Sequence, residues 1–145
     1  VLTTAVAISS YYHDKYNKTT FDLRLGLFLG IVVARYYNLW FAIIAYIIGL
    51  VIPNLLAGGR MDAPSLVFHL LYVLLFGIAT LFPNISLIIL GIMLVFTDGI
   101  LGIFINMSLG VPHFMAILSA IVAVTIRIIY FLTLGRLVEF VFSLI

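Results

Sequence analysis

Long apolar runs, broken only by short polar interruptions, leave this chain too little polar surface to cover a core in water. Of its 145 residues 66% are hydrophobic and 8% charged, and the mean hydropathy is +1.36. Runs of that length read as membrane spans, with lipid as the solvent. In lipid every backbone N–H and C=O must be satisfied inside the protein, which leaves helices or a closed barrel. A barrel strand alternates in polarity, whereas Leu87 to Phe96 is apolar on both parities. The expected fold is therefore all-α: a polytopic transmembrane helix bundle of about six spans with short loops, forming a single integral membrane domain over residues 1–145.

Polar punctuation marks the segments. The first, Val1 to Tyr12, is expected to be part of a longer span, since it meets polar residues within about a dozen positions. The others are Phe21 to Arg35, Leu39 to Ala57, Pro64 to Phe82, Ile85 to Ile105 and Phe114 to Thr133. Tyr36, Tyr37 and Trp40 suit an interfacial aromatic belt at the head of the third. Pro64 fits a first helical turn, where a missing N–H costs nothing. Residues 134–145 read as an interfacial tail, with Gly135 as a bend and Arg136 paired to Glu139 at i,i+3.

Loops 13–20, 58–63 and 106–113 fall on one face, here called X, with Lys15, Lys18, Arg24 and Arg60; the opposite face, Y, has Arg35 and Arg136. The positive-inside bias assigns X to the cytoplasm. Three Asn-x-Ser/Thr sequons, at Asn17, Asn84 and Asn106, divide between both faces and are read as chance.

Three ionisable residues stand well inside the apolar segments: His69, Asp98 and Arg127. Such residues are costly in hydrocarbon and are functional candidates by default. His69 lies 14 positions before Pro83 and Asp98 lies 14 after Asn84. A hairpin about that turn puts both roughly 21 Å from the Y face, within reach of a mutual hydrogen bond. Arg127 enters from the X side, and its long stem can extend toward Asp98. The cluster reads either as a proton or ion path, or as a polar contact fixing helix register. Gly26, Gly30 and Ala34, at i, i+4 and i+8, form a small-residue stripe for close helix packing.

The absence of cysteine excludes disulfides, thiolate catalysis and thiolate-bound metals. No glycine-rich phosphate loop, HExxH motif or histidine pair at helical spacing appears, so no cofactor and no metal site are expected. A formal charge of +2, scattered along the chain, gives no reason to expect nucleic acid. The expected partners are the lipid bilayer and other membrane subunits or a second copy.

A further constellation is acidic. Asp14 is followed by Lys18 and, eight positions on, Asp22, while Gly58-Gly59-Arg60-Met61-Asp62 heads the fourth span. Here the chain resembles the prepilin peptidases of the GxGD membrane aspartyl protease group. In that family one Asp ends the first span, with an Ile-Pro-Asn or Ile-Pro-Asp element eight positions later, and a second Asp follows Gly-x-Gly. The resemblance implies an intramembrane peptidase with Asp14 and Asp62 as its catalytic pair, sharing a proton and activating water. The chain departs from the pattern at Thr20-Phe21, at Met61 and at Pro64.

Two functions are thus expected from different classes. One is a non-enzymatic subunit of a larger membrane complex, or a small transport unit, built around His69, Asp98 and Arg127. The other is a peptidase acting through Asp14 and Asp62.

Overall fold

The computed structural model describes residues 2–16, 25–59 and 61–144; Lys18, Asp22, Arg24, Arg60 and the Asn17 sequon lie outside them. The helices are α1 (Leu2–Tyr16), α2 (Gly26–Tyr36), α3 (Leu39–Tyr46), α4 (Ile52–Leu56), α5 (Ala63–Leu81), α6 (Leu87–Ser108) and α7 (His113–Ser143). A π-helical turn, Ile47–Val51, joins α3 to α4 in one rod of 18 residues. The chain is an all-α helical bundle.

Local chemistry sets the helix ends. Asn38 accepts from the Phe41 N–H at 3.0 Å to start α3, and Asp62 accepts from the Ser65 N–H at 2.9 Å to start α5. Each satisfies a donor that the first helical turn leaves without an intrahelical partner. Pro64 sits in the first turn of α5, as its missing N–H predicts. Gly58 and Gly110, with φ of +91° and +85°, take the left-handed conformation that lets α4 and α6 end in short turns. The π turn has a local cause too: Pro53 has no N–H and its ring would collide with the carbonyl of Gly49 in a regular helix. The wider turn just before it relieves that conflict.

Helix α7 differs from the expected outline. It continues through Gly135 without a break to Ser143, so residues 134–143 belong to the long helix rather than to a separate tail. Glu139 turns to the neighbouring helix, where its Oε1 accepts from the Leu87 N–H at 2.6 Å and caps α6. Helix α6 also runs past Ile105 to Ser108, which shortens the expected 106–113 loop to residues 109–112.

Helices α6 and α7 form the most extensive pair, and α2 is central, touching α1, α3, α5, α6 and α7. Gly30 of α2 faces the Phe76 ring and Gly91 of α6 faces the Phe131 ring, close enough that a Cβ would overlap either ring. Three contacts close the Y end. The Arg35 guanidinium donates to the Ile85 carbonyl at 3.1 Å and 3.3 Å, Glu139 caps α6, and Tyr36 stacks on Phe142 with centroids 4.0 Å apart.

The described outer surface is apolar, with Trp40 on α3, Leu70 and Leu81 on α5, Phe104 on α6 and Phe114 on α7 largely exposed. Three outward hydroxyls, Thr97, Thr125 and Thr133, donate to the carbonyls of Met93, Ile121 and Ile129, so they present no unsatisfied group to hydrocarbon. The α3–α4 rod, α5, α6 and α7 are each long and apolar enough to cross a membrane.

Candidate functional site

Helix α2 has 11 residues, about 16 Å, roughly half of what crossing the hydrocarbon core takes. Anchored at the Y end by Arg35, its described residues fill the bundle's centre in that half; residues 17–24, which precede it, lie outside the described residues. In the other half the α3–α4 rod, α5, α6 and α7 enclose a cavity of about 330 Å³.

Each helix contributes a stripe at helical spacing. The rod supplies Tyr46, Leu50 and Asn54; α5 supplies Ser65, Phe68, His69 and Tyr72. From α6 come Asp98, Gly99, Gly102 and Asn106, and from α7 Ser119, Ala120, Ala123 and Arg127. Residues four apart drift by roughly 40° per step around a regular helix. The π turn between Tyr46 and Asn54 holds more residues per turn and offsets that drift, so all three rod positions meet the cavity.

Two polar groupings occupy its deep part. Arg127 donates through Nη1 to the Asp98 carboxylate and through Nη2 to the Tyr72 hydroxyl at 2.9 Å. Both members of the ion pair are buried, at 4% exposure for Asp98 and 5% for Arg127. Asp98 is the twelfth residue of a 22-residue helix, close to its midpoint. One turn nearer the X end, His69 Nδ1 lies 2.5 Å from the Tyr46 hydroxyl and Nε2 lies 3.2 Å from Ser65 Oγ. In one neutral tautomer Tyr46 donates to the ring and the ring donates to Ser65. The Tyr46 ring meets Tyr72 edge-on, 5.7 Å between centroids, and joins the two groupings.

His69, Asp98 and Arg127, singled out from the sequence, therefore share one cavity. Arg127 reaches Asp98, as its long stem suggested, whereas His69, expected to bond Asp98, has Tyr46 and Ser65 as hydrogen-bond partners. The equal-depth estimate omitted the third rod, whose Tyr46 stands beside His69. Tyr46, Tyr72, Ser65, Asn54, Asn106 and Ser119 were not anticipated. A signal for them exists, since Ser65, His69 and Tyr72 follow i, i+4, i+7, while Asp98–Asn106 and Ser119–Arg127 are each eight apart.

Asp14 and Asp62 do not line the cavity. Asp62 is the helix cap described above, and Asp14 lies in the last turn of α1. Gly26, Gly30 and Ala34 are buried in α2, with Gly26 against Leu50 and Gly30 against Phe76. Among the described residues, no three of His, Asp or Glu gather where they could hold a metal ion.

Comparison with protein-family models, curated proteins and solved structures finds no match for this chain. Fold and site define its class: a helical membrane protein, packed in one half and hollow and polar in the other.

Proposed function

We propose that this chain is a non-enzymatic solute-binding unit of a membrane transport assembly, receiving a small polar solute from the X face into the cavity between α3–α4, α5, α6 and α7. In this reading the α3–α4 rod, α5, α6 and α7 each cross the membrane, with X cytoplasmic. The observation that carries it is the cavity itself. A void at the depth of the hydrocarbon core, edged by hydroxyl, amide, imidazole and charged groups, is costly unless water or a polar ligand occupies it. Its volume is at the lower end of the roughly 300–1,000 Å³ typical of small-molecule sites. A register-fixing contact alone would need the ion pair but not the polar groups that continue outward to Asn54, Asn106 and Ser119.

The chain has no cysteine, so single cysteines report cleanly on water access. In membrane vesicles, Ser119→Cys and Asn106→Cys should react with a membrane-impermeant maleimide added to the X side, whereas Ala79→Cys and Leu94→Cys, in the packed half, should stay unreacted. Unreactive cysteines at 106 and 119 in folded protein overturn the reading. Reaction only from the opposite side reverses the orientation.

A further inference from the structure

The rod takes up one residue more than a regular helix would between Tyr46 and Asn54. The Ile52 N–H donates to the Ile47 carbonyl, five residues back, where an α-helix bonds four back. Each α-helical residue turns about 100° round the axis, so an extra residue offsets everything beyond it by that angle. In an unbroken α-helix Asn54 would stand about 80° round from Tyr46; with one residue taken up it stands about 20° away. Both then line the cavity, as observed. Position 53, not 54, is the one that an unbroken helix would bring to that wall.

Proline at 53 sets the offset, and the surroundings decide which part of the rod follows. Tyr46 is held: it is buried, its hydroxyl bonds His69, and its ring meets His69, Tyr72 and Phe76 edge-on. In α4, by contrast, Ile52, Leu55 and Leu56 are exposed and Pro53 alone is buried. A return to regular register therefore turns α4 and leaves α3 in place. Each α4 residue would move into the place of the one after it. Residue 53 would reach the cavity wall, and Asn54 would take the outward place of Leu55. The wall would lose a carboxamide, which both donates and accepts hydrogen bonds. The turn after α4 fits the present register: the Gly59 N–H donates to the Asn54 carbonyl at 2.9 Å, and a Cβ on Gly59 would overlap the Asn54 side chain.

We infer that Pro53 is a positioning residue, which forces the π turn and so aims the Asn54 carboxamide into the cavity. This rests on the solute-binding reading above and assigns a residue that shapes the wall a solute meets. The test places a nitroxide on single cysteines of the full chain in lipid nanodiscs. Its collisions with a water-soluble nickel chelate are compared with its collisions with oxygen, which concentrates in lipid. The nitroxide at Asn54→Cys should favour the chelate, and that at Leu55→Cys should favour oxygen. In Pro53→Ala/Asn54→Cys the pattern of position 55 should appear at 54. Pro53→Cys should show at 53 the pattern that 54 has in the unaltered rod. Deleting Ile48 together with Pro53→Ala removes the extra residue and should return position 54 to the chelate-favouring pattern. A proline that merely stabilised the helix would give no such recovery.

A chelate-favouring pattern at 54 that persists in Pro53→Ala overturns the inference, as does failure of the Ile48 deletion to restore a lost one. Equal patterns at 54 and 55 in the unaltered rod also overturn it. In all three cases the solute-binding reading stands while cysteines at 106 and 119 react with the maleimide. Unreactive cysteines at those positions remove both together. If Pro53→Ala alone does not fold, the deletion variant decides: a folded protein with position 54 facing the chelate supports the inference, and an unfolded one overturns it.

Discussion

The two halves of this bundle share the α3–α4 rod, α5, α6 and α7 and solve opposite problems. Toward Y, Leu29, Ile31, Leu75, Phe76, Val95 and Phe131 are sealed from solvent around α2. Toward X, α5 has no buried residue before Leu71, and α6 has none after Gly102. Among the described residues the difference follows α2, whose 11 residues pack the centre of the Y half. Where α2 packs centrally, glycines let it come close to aromatic rings; toward X, polar side chains of the α3–α4 rod, α5, α6 and α7 converge on the cavity. Lipid offers no hydrophobic drive between helices, so packing quality and polar satisfaction decide where each half is rigid.

The comparison breaks most sharply at the ion pair. Asp98→Asn or Arg127→Leu leaves one charge buried without its counterpart, and each should destabilise the protein by about 3–5 kcal/mol. The Asp98→Asn/Arg127→Gln double variant should regain most of that, read by thermal unfolding in detergent. Equal loss in all three would mean that the pair's geometry, not its charge balance, holds the cavity wall.

Alanine at glycine positions sharpens the contrast between the halves. Gly30→Ala drives a Cβ into the Phe76 ring, which is fully buried and cannot give way, so a loss of about 1–3 kcal/mol is expected. Gly102→Ala brings a Cβ to 3.7 Å from Phe68, an ordinary contact beside the void, and should be nearly neutral. Similar losses at both positions would show that the X half is packed as tightly as the Y half.

Smaller effects test the polar network and the acids. Tyr46→Phe removes the hydroxyl beside His69 and should cost about 0.6 kcal/mol, near the average for hydrogen bonds between membrane helices. Asp62→Asn keeps an acceptor at the head of α5 and should leave stability almost unchanged, whereas Asp62→Ala should cost about 1 kcal/mol. A prepilin-type peptidase assay on Asp62→Asn separates that cap role from catalysis, since a peptidase would lose all activity with the carboxylate.

Much of the bundle was legible because helix formation in lipid is local. The breaks at Asn38, Pro64 and Pro83 are chemical signals that need no tertiary context. The end of α7 was misread because Gly135, Arg136 and Glu139 resemble a terminus, whereas burial of Gly135 and the bond from Glu139 to α6 carry the helix onward. The π turn escaped notice although Pro53 marks it. At the candidate site the titratable residues stood out, since charge is rare in such a chain, but tyrosine and serine do not stand out by type.

The amino-acid sequence alone determined the solvent, the helical class and the three ionisable residues held within the apolar segments. Each follows from short-range requirements: transfer free energy residue by residue, and backbone hydrogen bonds closed within a single segment. Tertiary structure decided that Asp98 bonds Arg127, that His69 bonds Tyr46, and that a cavity opens between the α3–α4 rod, α5, α6 and α7. Those outcomes depend on how each helix is rotated and which helix lies beside it, and many side chains at one depth are eligible partners until packing selects among them.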